Sequence, residues 1–161
     1  ANNYGNLCQR VFSFVEKNCQ NQIPKPDIPL DIDKNLTNIL KNDIDELIKL
    51  INNQDLNTYI KKVVKYSFNA NKYFNDLEPW SLKKKDPKRM NTILYTIIEQ
   101  IKDISILLNP IMPDATNKIL DILNIESEDI NLNNLRQKNS LNFDKKLKKI
   151  SILFKKVEND N

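Results

Sequence analysis

Residues 86–108 read DPKRMNTILYTIIEQIKDISILL. Met90, Ile93, Leu94, Ile97, Ile98, Ile101, Ile104 and Leu108 recur at intervals of three and four, the period of a helix with a deeply buried face. Asp86 followed by Pro87 supplies an N-cap and a first-turn proline, and Pro110 and Pro113 stop the helix beyond its far end. A stripe this apolar needs other helices around it, so the rest of the chain is expected to wrap this segment.

The flanking sequence offers those helices. Tyr4, Leu7, Cys8, Val11 and Val15 form one apolar side of a helix over about residues 2–19, while Asn6, Arg10, Ser13 and Lys17 gather on another side. Pro24, Pro26 and Pro29 then impose an extended loop. A second helix, capped by Asp31 or Asp33, carries Leu36, Ile39, Leu40, Leu47, Ile48 and Ile51. A third starts at Asp55, carries Leu56, Tyr59, Ile60, Val63, Val64, Phe68 and Phe74, and stops before Pro79. A short fifth helix follows Pro113. The fold predicted is all-α: an antiparallel bundle of about five helices in a single domain, residues 1–161, with a helical body over 2–123 and a less regular tail over 124–161. Within the tail, the alternation Ile150, Ile152, Phe154 suits a short strand or an extended docking segment.

Composition narrows the chemistry. The 161 residues contain no histidine, which excludes histidine-based acid–base catalysis, Ser-His triads and most zinc sites. Cys8 and Cys19 form no metal-binding or redox motif, so reduced thiols are expected, with Cys8 in the core. The single glycine, Gly5, disfavours hairpin-rich and Gly-loop folds. No run of about 18 apolar residues and no signal-peptide pattern occur, which predicts a soluble cytoplasmic protein without membrane partners. The chain also begins without Met and directly in helical pattern, as a piece of a longer polypeptide would. A net charge of +4 and a pI near 8.9 mildly favour an acidic partner. The charge is uneven: Lys83, Lys84, Lys85, Lys88 and Arg89 form a cluster interrupted by Asp86 alone, whereas Lys145, Lys146, Lys148 and Lys149 read as an ordinary exposed face.

Three constellations stand in one order: Asn6-Leu7-Cys8-Gln9-Arg10 on the first helix, Ala70-Asn71-Lys72-Tyr73 on the third, and Pro79-Trp80 after it, with Asn109-Pro110 and Pro113 later. Together they resemble the anticodon-binding domain of the methionyl-tRNA synthetase family, over about residues 4–123. That resemblance implies a class I synthetase helical bundle which follows a catalytic domain in its polypeptide. It implies that Asn6, Arg10 and Trp80 contact the anticodon of a methionine tRNA, the first base of CAU in particular. The family's catalytic signatures, a His-Ile-Gly-His-type motif and a Lys-Met-Ser-Lys-Ser-type loop, are missing from this chain. Attachment of methionine with ATP would therefore belong to the absent catalytic domain, leaving no catalytic residue, metal or cofactor here. The family also suggests that the stretch from Leu153 to Glu158 folds back on the body of the enzyme.

The residue types suit such a role. Asn6 and Arg10 lie four apart, so both project from one helix face. An amide and a guanidinium supply the donors and acceptor that cytosine's O2, N3 and N4 need. From spacing alone the pair reads as an ordinary solvated face, and Trp80 as a plug at a helix junction. Pro79 and the lysines that follow instead predict a partly exposed indole on which a base can stack. Asn71, Tyr73 and Pro79 are expected to buttress that turn, and Lys83, Lys84, Lys85, Lys88 and Arg89 to meet RNA phosphates. Two alternatives remain at this point: the corresponding domain of another class I synthetase, or a helical protein–protein adaptor with an exposed apolar groove.

Overall fold

The computed structural model describes residues 2–136, 141–143 and 145–148. Six α-helices follow in order: α1 Asn2–Asn18, α2 Asp31–Asn42, α3 Ile44–Asn52, α4 Leu56–Leu77, α5 Pro87–Leu108 and α6 Pro113–Ile122. A 3-10 turn over Pro79–Leu82 links α4 to α5, and two more, Ser127–Asp129 and Leu132–Arg136, follow α6. The all-α bundle expected from periodicity is thus observed. Among the described residues the β-structure is a lone bridge between Gln22 and Lys146.

Helix α5 is the axis, in contact with α1, α2, α4 and α6. Its residues are buried without a break from Thr96 to Leu108, Glu99 excepted, as the isoleucine stripe demands. Neighbouring helices are pinned to it by hydroxyls: Tyr59 donates to the Leu107 carbonyl at 2.5 Å, and the Tyr4 and Ser105 hydroxyls pair at 2.5 Å. Tyrosine serves here because its ring fills core volume while its O–H can satisfy a polar group beneath the surface. Cys8 is fully buried as expected, and burial pushes its thiol well above the ordinary range.

The caps read at Asp55 and Asp86 are formed, whereas α2 is capped by neither Asp31 nor Asp33. Its N-cap is Leu30, both aspartates lie in the first turn, and Asp33 Oδ2 accepts from the Leu30 amide because that carboxylate is turned inward. Asp55 Oδ1 accepts from the Thr58 amide at 3.3 Å, and Asp86 Oδ1 from the Arg89 amide at 3.2 Å. Glu78, at φ 44° and ψ 60°, ends α4 in the left-handed conformation before Pro79.

Two further expectations fail. The second helix is not continuous, because Asp43 (φ −92°, ψ −2°) divides it into α2 and α3. The cause lies in α4: the Tyr66 hydroxyl donates to Asp43 Oδ2 at 2.5 Å, and Lys62 stands 3.8 Å from the same oxygen. On α4 itself the inward face is Tyr59, Val63, Tyr66, Ala70, Tyr73 and Phe74, whereas Leu56, Val64 and Phe68 are exposed by 47%, 43% and 58%. The tail docks in part. Ile23 N donates to the Lys145 carbonyl at 3.0 Å and Leu147 N to the Asn21 carbonyl at 2.9 Å, with Leu147 buried. Lys145, Lys146 and Lys148 stay exposed, and Lys148 pairs with Asp121 at 3.0 Å. Lys149, Ile150, Ile152, Phe154 and the stretch Leu153 to Glu158 lie outside the described residues.

A buried carboxylate joins four segments. Asp33, 1% exposed, accepts from Arg89 Nη1 at 2.6 Å and Nη2 at 3.0 Å, from the Tyr73 hydroxyl at 2.5 Å and from the Leu30 amide at 2.8 Å. Burial would raise its pKa, but the bonds from Arg89, Tyr73 and Leu30 outweigh burial and hold the carboxyl below its ordinary value. A depressed folded-state pKa contributes stability above the unfolded value, about 3.9, and loses it as pH falls through the folded value. Asp33→Ala should therefore destabilise the chain by about 3–5 kcal/mol at pH 7 in urea denaturation, because the Arg89 charge is stranded. The gap to the wild type should shrink progressively below about pH 4; a gap that stays constant down to pH 2 would show that the Asp33 charge is not its source.

Candidate nucleic-acid interface

Where α1 passes the end of α4, its polar stripe meets an aromatic corner. Arg10, Ser13, Phe14, Lys17 and Asn18 from α1, with Phe74 and Trp80, line an open groove of about 320 Å³. That size suits a flat heterocycle rather than a whole nucleotide chain. Phe74 is buried and meets Trp80 edge-on, the ring centroids 5.4 Å apart at 70°. Trp80, backed by that ring, remains 42% exposed, as the sequence predicts. Its backbone is held in the 3-10 turn by buried Pro79, by the Ser81 amide donating to the Glu78 carbonyl at 2.9 Å and by the Ser81 hydroxyl doing so at 2.7 Å.

The Arg10 guanidinium is already oriented. Nη2 donates to Asn75 Oδ1 at 2.6 Å, and Cζ lies 5.0 Å from the Phe74 ring centre and 6.0 Å from that of Trp80. Both ring distances fall within the reach of a cation–π attraction. One amide oxygen and two rings thus hold the cation while its remaining N–H donors stay available. Asn6 is exposed one helical turn earlier on the same face and makes no side-chain hydrogen bond among the described residues. It lies outside the residues lining the groove, at its approach.

The supporting residues divide. Pro79 belongs to the Trp80 turn. Asn71 instead ties α4 to the first turn of α1, donating to the Asn3 carbonyl at 2.9 Å and to the Ser67 carbonyl at 3.1 Å. Tyr73 does not buttress the turn: it is buried on Asp33. Lys83 is not itself a lining residue but donates to one, its Nζ lying 2.9 Å from Asn18 Oδ1. Lys84, Lys85 and Lys88 are exposed and carry no ion pair among the described residues. Arg89 departs from the expectation of a phosphate contact, since both its terminal nitrogens are committed to Asp33. Sequence reasoning did not assign Phe74, Asn75, Phe14 or Asn18 to this place. Ser13 and Lys17 were visible as part of the polar stripe without being recognised as lining. Among the described residues no group of His, Cys, Asp or Glu could hold a metal ion, and no helix is long and apolar enough to cross a membrane.

An all-α bundle with a cation-and-aromatic groove on one edge, and no acid, thiol or imidazole lining that groove, is a helical binding module. The family model described as the anticodon binding domain of methionyl tRNA ligase matches residues 23–161. The methionine–tRNA ligase of Brucella suis biovar 1 is 34% identical over 128 residues, which are 80% of this chain and 25% of that protein. The ligase of Rickettsia prowazekii is 32% identical over 160 residues, covering 97% of this chain, α1 included, and 31% of that protein. Among solved structures, Mycobacterium tuberculosis methionyl-tRNA synthetase in complex with methionyl-adenylate superimposes with a TM-score of 0.86 at 28% identity. That superposition covers 92% of this chain and 30% of the other. The chain belongs to the family of anticodon-binding domains of methionyl tRNA ligase, and it spans about a quarter to a third of the length of these relatives.

The groove's charge can be read directly, because Trp80 is the only indole. Iodide, drawn by Arg10, Lys17 and Lys83, is expected to quench Trp80 fluorescence more strongly than caesium does at low ionic strength. Arg10→Ala should narrow that difference while changing the unfolding free energy by less than about 1 kcal/mol. Identical quenching in both proteins would place the guanidinium away from the indole in solution.

Proposed function

We propose that the groove reads a single splayed nucleobase, the first base of a CAU anticodon, and so serves a longer methionine–tRNA ligase. The observation that carries this reading is the Arg10 guanidinium, held by Asn75 beside a partly exposed Trp80. A base turned out of a loop stacks on the indole, a contact worth about 1–3 kcal/mol. Arg10 donates to the acceptors O2 and N3 of cytosine, and the Asn6 amide oxygen accepts from its N4 amino group. Uracil presents N3–H and O4 instead, which opposes a donor to Arg10 and leaves the Asn6 oxygen without a partner. Lys17, Lys84, Lys85 and Lys88 neutralise phosphates without regard to sequence.

Methionine and ATP are substrates of the remainder of the ligase, working in the cytoplasm, and tRNA is the ligand of this domain. The alternative of another class I synthetase loses support because the Brucella and Rickettsia relatives are methionine ligases.

The test compares two anticodon stem-loops, CAU and UAU, at one stated salt concentration. The wild type should prefer CAU, and Arg10→Ala should weaken CAU binding by about 1–3 kcal/mol and flatten the preference. Lys84→Ala and Lys85→Ala should weaken both loops alike, each lowering the salt slope by about 1. Equal wild-type affinity for the two loops would sink the reading.

A further inference from the structure

Helix α4 carries an apolar stripe that the bundle does not use. Leu56, Ile60, Val64 and Phe68 recur at every fourth position; Leu56, Val64 and Phe68 are exposed and Ile60 is half-buried. Twelve residues of rise make the stripe about 18 Å long. Single exposed apolar side chains are common, but a continuous row signals a docking face. Lys61 and Lys65 flank it, exposed and without a carboxylate partner among the described residues, whereas the neighbouring Lys62 is 3.1 Å from Glu46. Leu56, Ile60 and Val64 offer RNA neither stacking surface nor hydrogen bonds, and Phe68 is the one ring among them, so the stripe as a whole favours a protein partner.

The path of α1 says where that partner comes from. Asn71 bonds to Asn3, Asn75 to Arg10, and Lys83, beyond α4, to Asn18, so α1 and α4 run side by side in the same direction. Helix α1 therefore covers α4 only from about Ser67 toward Trp80. Asn71 and Asn75 lie on the same arc of α4 as the stripe, since successive residues are 100° apart. The start of α1, at Asn3, thus lies beside Asn71, about one helical turn along α4 from Phe68 at the near end of the stripe. The matches fall in the C-terminal region of ligases three to four times longer than this chain. In such a ligase the polypeptide that leads into α1 therefore joins the domain near the Phe68 end of this stripe.

We infer that the stripe Leu56–Ile60–Val64–Phe68 is the seat of the polypeptide preceding α1 in the full-length ligase, through an apolar surface carrying carboxylates for Lys61 and Lys65. The inference rests on family membership and not on base recognition. Val64→Cys and Phe68→Cys introduce thiols at exposed positions, to be read above the background of Cys8 and Cys19. Maleimide labelling of each should be at least tenfold slower in the full-length ligase than in the isolated 161-residue chain, without tRNA in either sample. Equal rates would overturn the proposal. So would slowing in the isolated chain as its concentration rises, which indicates a second copy, or slowing only when a CAU stem-loop is added, which indicates RNA. Labelling that is slow in the isolated chain until residues 149–161 are removed would assign the seat to the chain's own end and also overturn it. Indifference to the anticodon in the earlier binding test would leave this readout unaffected.

Discussion

A carboxylate sealed from water must be compensated wherever it sits, and Asp33 imposes that condition on half the bundle. An unpaired ion there would cost several kcal/mol, so a guanidinium, a phenol and an amide are recruited from α5, α4 and the loop before α2. These bonds fix the entry of α5 against α4, and the turn between those two helices is what presents Trp80. Arg89 and Tyr73 resemble RNA-facing residues in sequence because they neighbour the basic run and the Asn71 segment. The buried charge claims both. Electrostatic satisfaction of the interior thus takes precedence over the surface, and of the cluster's cations only the lysines stay exposed.

Helices with strong caps and an unbroken apolar period were legible from the chain alone, α5 most of all. Asp86, Pro87 and the isoleucine stripe are local signals, and local signals survive without a structure. The division of α2 from α3 was not legible, because its cause is the Tyr66 hydroxyl, 23 residues away from Asp43. The orientation of α4 was misread for a related reason. Its apolar residues occupy more than one arc, and periodicity cannot rank two arcs when the buried one is filled by Tyr66, Ala70 and Tyr73 and the exposed one by Leu56, Val64 and Phe68. Tyr66 and Tyr73, each bonded to a carboxylate of the second helical segment, take core positions in place of more apolar side chains, a choice made by partners elsewhere in the chain.

The site shows the same split. Arg10 and Trp80 were identifiable from residue type and order, since a lone indole next to a proline and a run of lysines is an unusual combination. Phe74 was read as core, and it is core; what the sequence could not reveal is that its ring edge backs Trp80. Asn75 carried no signal at all, because asparagine is abundant here and its contact with Arg10 spans 65 positions.

On the proposed reading, that contact bears directly on how selective the groove is. An exposed arginine samples many rotamers, and fixing it costs up to about 2 kcal/mol of side-chain entropy. Here Asn75 and the two rings impose most of that order before any ligand arrives, so less of the binding free energy goes into arranging the cation. A guanidinium held in one orientation also cannot swing away from an unsuitable base edge. The penalty for a mismatched donor is then felt in full, and preorganisation contributes to discrimination as well as to affinity.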